Sequence, residues 1–147
     1  MSNCEKAQHI SKCLELAILL EVSSEKPGNV NLTTGFEGTI CQHFFASAVA
    51  AGPSFQEAAY RGTLVAEKKL GISEVCLGQL IKNCASGVNS WQRGGNTILG
   101  TIMLFMPIAV AAGMAQLKPD YHLDFSLLRK NIDLTVKSTS AWDSVHL

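Results

Sequence analysis

Two stretches of the chain gather carboxylate, amide, hydroxyl and cationic side chains closely enough to act on a ligand. The first is EKPGNVNLTTG, residues 25–35, which follows Glu21. Counted at about 100° per residue from Ile10, Glu21 returns nearly to the apolar stripe of its helix. It either reaches back to water and pairs with a lysine such as Lys26, or aims its carboxylate at a site whose rim is EKPGNVN. In that rim Pro27 and Gly28 set a turn, Asn29 and Asn31 offer amide donors and acceptors, and Lys26 offers a point positive charge. Such a loop can hold a phosphate or a metal-bound nucleotide, or simply connect two helices. Glu37 follows near the start of a second helix, where His43 and Ser47 lie one turn apart on the flank of a Phe44 face. His43 there is either a site residue or a hydrogen-bonded boundary residue. The second stretch, Arg93-Gly94-Gly95-Asn96-Thr97, precedes the most apolar part of the chain. Its glycines let the backbone approach a ligand, and amide groups with the helix dipole favour an anion at that point. Asn96 or Thr97 could equally be a plain N-cap.

The elements that must position these residues read as helices. Glu5 to Val22 places Ile10, Leu14, Ala17 and Ile18 on one side, with Gln8, Lys12 and Glu15 turned away. Ile40, Cys41, Phe44, Phe45, Ala48 and Ala51 repeat the spacing until Gly52-Pro53, which predicts a stop. Ser54 to Glu57 has the form of a capping box opening a further helix to Leu70, with Gly71 as its end. Ser73 opens another, carrying Val75, Leu77, Leu80, Ile81 and Cys84. The second polar break then runs from Ser86 to Asn96, and Thr97 to Ala115 reads as a central helix, hydrophobic all round and surrounded by others. A last amphipathic helix spans Asp124 to Val136. Ala141 to Leu147 looks like the start of one more, with Trp142 and Val145 as core candidates. Strand alternation is missing, so the expected fold is an all-α bundle of about six helices in a single domain over residues 1–147.

With 147 residues, 47% of them hydrophobic and 16% charged, the chain can bury a proper core. Lys plus Arg and Asp plus Glu both number 12, and no long run of one sign occurs, so a nucleic-acid or anionic-membrane footprint has no support. Gly94 to Leu117 carries no charge and reaches the length of a membrane span, about 20 residues. Pro107 and a run of small residues argue instead for a buried soluble helix. Five cysteines without a C-x-x-C pair fit reduced, buried thiols in a cytoplasmic protein, and no export signal opens the chain. The phosphate-loop, zinc-protease, nucleophile-elbow and dinucleotide fingerprints are missing.

In order, LELAILLEVSSEKPGNVN, FEGTICQHFFASA and GGNTILGTIMLFMPIAVAAG resemble the E…PKPGNV, F-E/D…H-F-x-x-S-A and N-T-x-x-G elements of the triphosphoribosyl-dephospho-coenzyme A synthase family. The likeness runs from about Leu14 to Gly113, and KPGNV is its most specific part. It implies an all-helical enzyme that transfers the triphosphoribosyl group of ATP to 3′-dephospho-coenzyme A and releases adenine. It also implies motif positions for Glu21, Lys26, Gly28, Asn29, Glu37, His43, Ser47, Asn96 and Thr97. Glu21 and Glu37 are the candidates for Mg²⁺ or acid–base work, with His43 as a third catalytic candidate; Lys26, Asn29 and Asn96 are candidates for phosphates, and Gly28, Asn31, Ser47, Gly95 and Thr97 complete the expected nucleotide-binding set. Where well-studied members look like N-T-H-K-G, this chain has Ile98-Leu99, and Lys68 to Arg93 is a longer insertion, a pattern closer to a divergent, archaeal-type branch whose substrate need not be dephospho-coenzyme A. Arg61 and Glu67 stand where the family has an R…G…A-E stretch. Family chains are longer, which suggests an N-terminal fragment; an uncovered Trp142 face could then pair copies into a homo-oligomer. The competing reading is a non-catalytic helical module that binds nucleotide or serves assembly.

Overall fold

The computed structural model describes residues 1–115 and 124–145. Six α-helices are found among them: α1 (Asn3–Ser23), α2 (Cys41–Ala66), α3 (Leu77–Trp91), α4 (Leu99–Met114), α5 (Phe125–Lys137) and α6 (Ala141–Val145). A 3₁₀ turn, Ile72–Val75, precedes α3. Strands are absent from the described residues, apart from one isolated bridge between Phe36 and Thr39. The all-α expectation therefore holds.

The α1 stripe buries Ala7, Ile10, Leu14 and Ile18, while Ser2 and Glu5 close a capping box at its start. Helix α2 differs from the two helices predicted here: it runs unbroken through Gly52-Pro53, and no helix starts at Ser54. A proline removes one N–H and crowds the carbonyl four residues back. Pro53 and Val49 both face solvent, so water can satisfy that carbonyl. The opposite face keeps Ala48, Ala51, Phe55, Ala58 and Ala59 fully buried, and a break would give that burial up. Glu57 pairs with Arg61 Nε at 2.8 Å instead of capping.

Two further boundaries move. Cys76, at φ 55°, separates the 3₁₀ turn from α3, so no single helix runs on from Ser73. Helix α3 continues to Trp91, which leaves the second polar break only from Gln92 onward. At its other end α3 is capped from afar: the Asp143 carboxylate accepts from Gly78 N–H at 2.8 Å and from Ser140 N–H at 2.8 Å. Asp143 is thus the buried residue of α6, whereas Trp142 and Val145 are 74% and 70% exposed. The core expectation for those two fails because the inward register is taken by a carboxylate with donors to meet.

Helix α4 is the central one and touches α1, α2, α3 and α5. Met106, Ala109, Val110 and Ala111 are fully buried. Its first half is less enclosed than expected, with Met103 and Leu104 about half exposed. Glycines set the closeness of α2 and α4: a Cβ on Gly62 would overlap the Val110 carbonyl, and one on Gly113 the Ala59 carbonyl. Lys6 Nζ ends α4 by donating to the carbonyls of Gly113 and Ala115. Of the five free cysteines, Cys41 and Cys84 are buried; Cys4, Cys13 and Cys76 are exposed, against expectation. Among the described residues, no helix is long and apolar enough to cross a membrane.

Candidate functional site

The two polar breaks meet. Thr39 Oγ1 donates to Gly94 O at 2.9 Å. The Gly94 backbone lies against the His43 side chain, whose Nδ1 accepts from Ile40 N–H at 3.2 Å at the start of α2. One turn further on, Ser47 is fully buried. Its hydroxyl donates to His43 O at 2.7 Å and sits 2.7 Å from Thr97 Oγ1. A serine has a single hydroxyl proton, so Thr97 is the donor to Ser47. His43 and Ser47 therefore tie the Gly-Gly-Asn-Thr loop to α2.

Each loop is also braced from within. Asn31, buried, accepts from Thr33 N–H at 2.9 Å and Thr34 N–H at 2.9 Å, an Asx turn that spends its carbonyl on the loop itself. Asn29 Oδ1 accepts from Val30 N–H at 2.8 Å. Gly28 and Gly95, at φ +72° and +73°, hold the left-handed corners that glycine accepts readily. Gln92 is buried and spans the second loop, donating to Gly95 O at 2.8 Å and accepting from Gly94 N–H at 2.5 Å. Asn96 Oδ1 accepts from the N–H of Leu99, the first residue of α4, at 3.2 Å, although the cap position itself is Ile98.

Between these loops, the end of α1 and the starts of α2 and α4 lies an open cavity of about 520 Å³. That is within the roughly 300–1,000 Å³ typical of small-molecule sites. Its polar wall is Glu21, Asn29, Thr39, Asn96, Thr97 and Thr101; Ile18, Val30, Phe44, Ile98 and Phe105 supply apolar surface, and Phe36 and Leu104 also border it. Glu21 is the charged residue of this lining. It does not point into the core: its side chain is 54% exposed and ion-paired with Lys26. Both sequence-level readings of Glu21 thus meet in one place, a lysine-paired carboxylate on a cavity wall. Asn96, Thr97 and Ile98 also border a second cavity of about 200 Å³ against α3.

Glu21, Asn29, Asn96 and Thr97 come together in the lining of one cavity. Lys26 joins them through Glu21, and His43, Ser47, Asn31 and Gly95 stand behind as supports. Glu37 stands apart: it is exposed on the turn between Phe36 and Thr39 and does not line the cavity. Among the described residues, no group of three or more His, Cys, Asp or Glu side chains forms a metal-ligand set. Arg61 and Glu67 are engaged elsewhere, with Val75 O at 2.8 Å and Asn3 Nδ2 at 2.8 Å. Thr39, Thr101, Phe36 and Gln92 escaped the sequence reading. Gln92, two residues before the glycine pair, offered a signal; Thr101, one turn into an apolar helix, offered none.

The family described as ATP:dephospho-CoA triphosphoribosyl transferase, CitG, matches residues 7–147. The chain belongs to this family. The match takes in all the cavity-lining segments and continues past Gly113, where the motif-level likeness stops. No curated protein and no solved structure matches the chain. In this CitG-family chain the aliphatic pair Ile98-Leu99 has a definite place: Ile98 is buried between the two cavities, and Leu99 opens α4.

Proposed function

We propose that the 520 Å³ cavity binds ATP and that the protein transfers its triphosphoribosyl group to 3′-dephospho-coenzyme A, or a related acceptor, releasing adenine. The observation that carries this reading is the convergence of Glu21 and Asn29 with Asn96 and Thr97, from two distant segments, in the lining of one cavity.

In this reaction an acceptor ribose hydroxyl attacks C1′ of ATP. The C1′–O bond forms, the C1′–N9 bond breaks, N9 leaves with the electron pair, and the proton lost by the hydroxyl is taken up and balanced by the one that adenine gains as it leaves. Glu21 is the carboxylate on the cavity wall that can take the hydroxyl proton or stabilise the cationic sugar. Asn29, Asn96 and Thr97 offer hydrogen bonds to phosphate oxygens, and Lys26 offers charge. An exposed ion pair contributes only ~0–1 kcal/mol, so Lys26 can leave Glu21 for a phosphate at little cost. Mg²⁺ is commonly held by one or two carboxylates plus substrate phosphates; Glu21 meets that need on the wall, and the exposed Glu37 would have to approach. When bound, the ion supplies charge neutralisation. Gly28 and Gly95 shape the loops, and Asn31, His43 and Ser47 hold them in register.

The test is adenine release from ATP, with Mg²⁺ and dephospho-coenzyme A or other nucleoside acceptors. Glu21→Gln is expected to slow it by roughly 10²-fold or more, the scale of general acid–base assistance. Unchanged release in that variant refutes the role of Glu21. ATP binding without adenine release under any acceptor turns the reading to a nucleotide-binding module.

A further inference from the structure

Phe36 has no part in the roles assigned above. Its side chain is large, aromatic and 55% exposed, yet it lines the cavity. The turn that carries it is well fixed. Phe36 N–H donates to Thr39 O at 2.9 Å, Thr39 N–H returns to Phe36 O at 3.0 Å, and Thr39 Oγ1 anchors the turn to Gly94. Gly38 takes φ +77°, as the third residue of a type II turn requires. Gly35 packs so closely that a Cβ there would come 2.9 Å from Thr39 O. An apolar ring left in water forgoes the burial that normally stabilises it. Most other exposed apolar side chains of this chain lie along helix faces; Phe36 stands on a braced corner at a cavity that also holds Phe44 and Phe105.

The cavity lining therefore combines two kinds of surface, amide and hydroxyl groups and the rings of Phe36, Phe44 and Phe105. A ligand with phosphates at one end and a flat π surface at the other matches both. We propose that Phe36 is the stacking platform for the purine base of a nucleotide bound in this cavity, and so determines specificity for a base-bearing triphosphate. The inference rests on the nucleotide reading of the cavity. Stacking uses the π face that every base has, so Phe36 selects for the presence of a base, while the polar wall holds the phosphates.

Calorimetric titration with ATP and with inorganic tripolyphosphate, on wild type, Phe36→Ala and Phe36→Trp, tests it. Phe36→Ala is expected to weaken ATP roughly 5- to 150-fold, the range seen when one base-stacking aromatic is removed, and to leave tripolyphosphate unchanged. Phe36→Trp should restore ATP affinity and add a fluorescence signal that ATP quenches. Unchanged ATP affinity in Phe36→Ala overturns the proposal, as does an equal loss for ATP and tripolyphosphate. ATP that fails to bind the wild-type protein removes the nucleotide reading, and Phe36's role with it.

Discussion

Gly94 is where the second loop packs against the first turn of α2, so Gly94→Ala is an informative single change. Its φ is not left-handed, and alanine can adopt the backbone; the obstacle is space. A Cβ there would lie 2.6 Å from His43 Cβ and nearer still to the ring. Because the clash reaches the root of the side chain, the imidazole cannot clear it by turning its far end. A new χ1 would also break the bond from Ile40 N–H to His43 Nδ1. Overpacking of this kind costs about 1–3 kcal/mol. At a urea slope of about 2 kcal/mol/M, a 2 kcal/mol loss lowers the unfolding midpoint by about 1 M. ATP affinity should fall as well, since Thr39 and Thr97 are held through the same loop. The decisive measurement is a double-mutant cycle with His43→Gly. With the imidazole and its Cβ both gone the methyl group has room, and Gly94→Ala should then cost less than about 0.5 kcal/mol, a coupling expected only between touching residues. Equal costs in both backgrounds would falsify the packing of Gly94 on His43 and, with it, the joining of the loops.

Two further outcomes follow from buried polar groups. Burial pushes the Cys84 thiol up to about 11 from an ordinary 9.0. The unfolded chain therefore releases this proton at lower pH than the folded one, and stability falls as pH rises from 9 to 11. At about 1.4 kcal/mol per unit, the loss is about 1.4 kcal/mol by pH 10. The difference between wild-type and Cys84→Ala stability curves over that window should show it, and parallel curves would refute it. Asp143→Ala strands the Gly78 N–H that the carboxylate accepts at 2.8 Å, at a cost of roughly 1–3 kcal/mol. Hydrogen exchange at Gly78 should quicken well beyond that at Leu14 in the α1 core, and equal protection in both proteins would contradict the cap.

Helical spacing made the stripe of α1 legible because one face meets the bundle and the other meets water; in α5 it located the helix but not the buried face, which carries Asn131 and Thr135 while Phe125, Leu134 and Val136 are exposed. It failed where tertiary packing decided the matter. Pro53 reads as a stop, yet it sits on the solvent side of a helix whose other face buries alanines. Trp142 reads as core, yet Asp143 has donors to meet at Gly78 and Ser140. The site was legible in its residue types and in the order of KPGNV, His43…Ser47 and GGNT. What stayed hidden was which of them line the cavity and which support it. Asn31 and Asn29 look alike in sequence, but the first is consumed by an Asx turn and the second faces the cavity.

The direction of the helices, which no periodicity reports, explains why the cavity forms at this end. Ser47 meets Thr97 at the start of α2 and α4, and Gly62 meets Gly113 near their ends. The two helices thus run parallel, side by side, as closely as paired glycines allow. Their amino ends share one end of the bundle, where Thr39, Phe44, Thr97 and Thr101 line the cavity. Two helix dipoles then place partial positive charge beside a wall lined by neither lysine nor arginine. Helix α1 runs the other way, so its last turn brings Glu21 and its partner Lys26 to the same place. The amino ends of α2 and α4 favour negative charge there, the carboxyl end of α1 opposes it, and Lys26 offsets the Glu21 carboxylate. Apart from Glu21 in the last turn of α1, the resemblance-bearing residues fall in the segments leading into α2 and α4 and in the first two turns of α2.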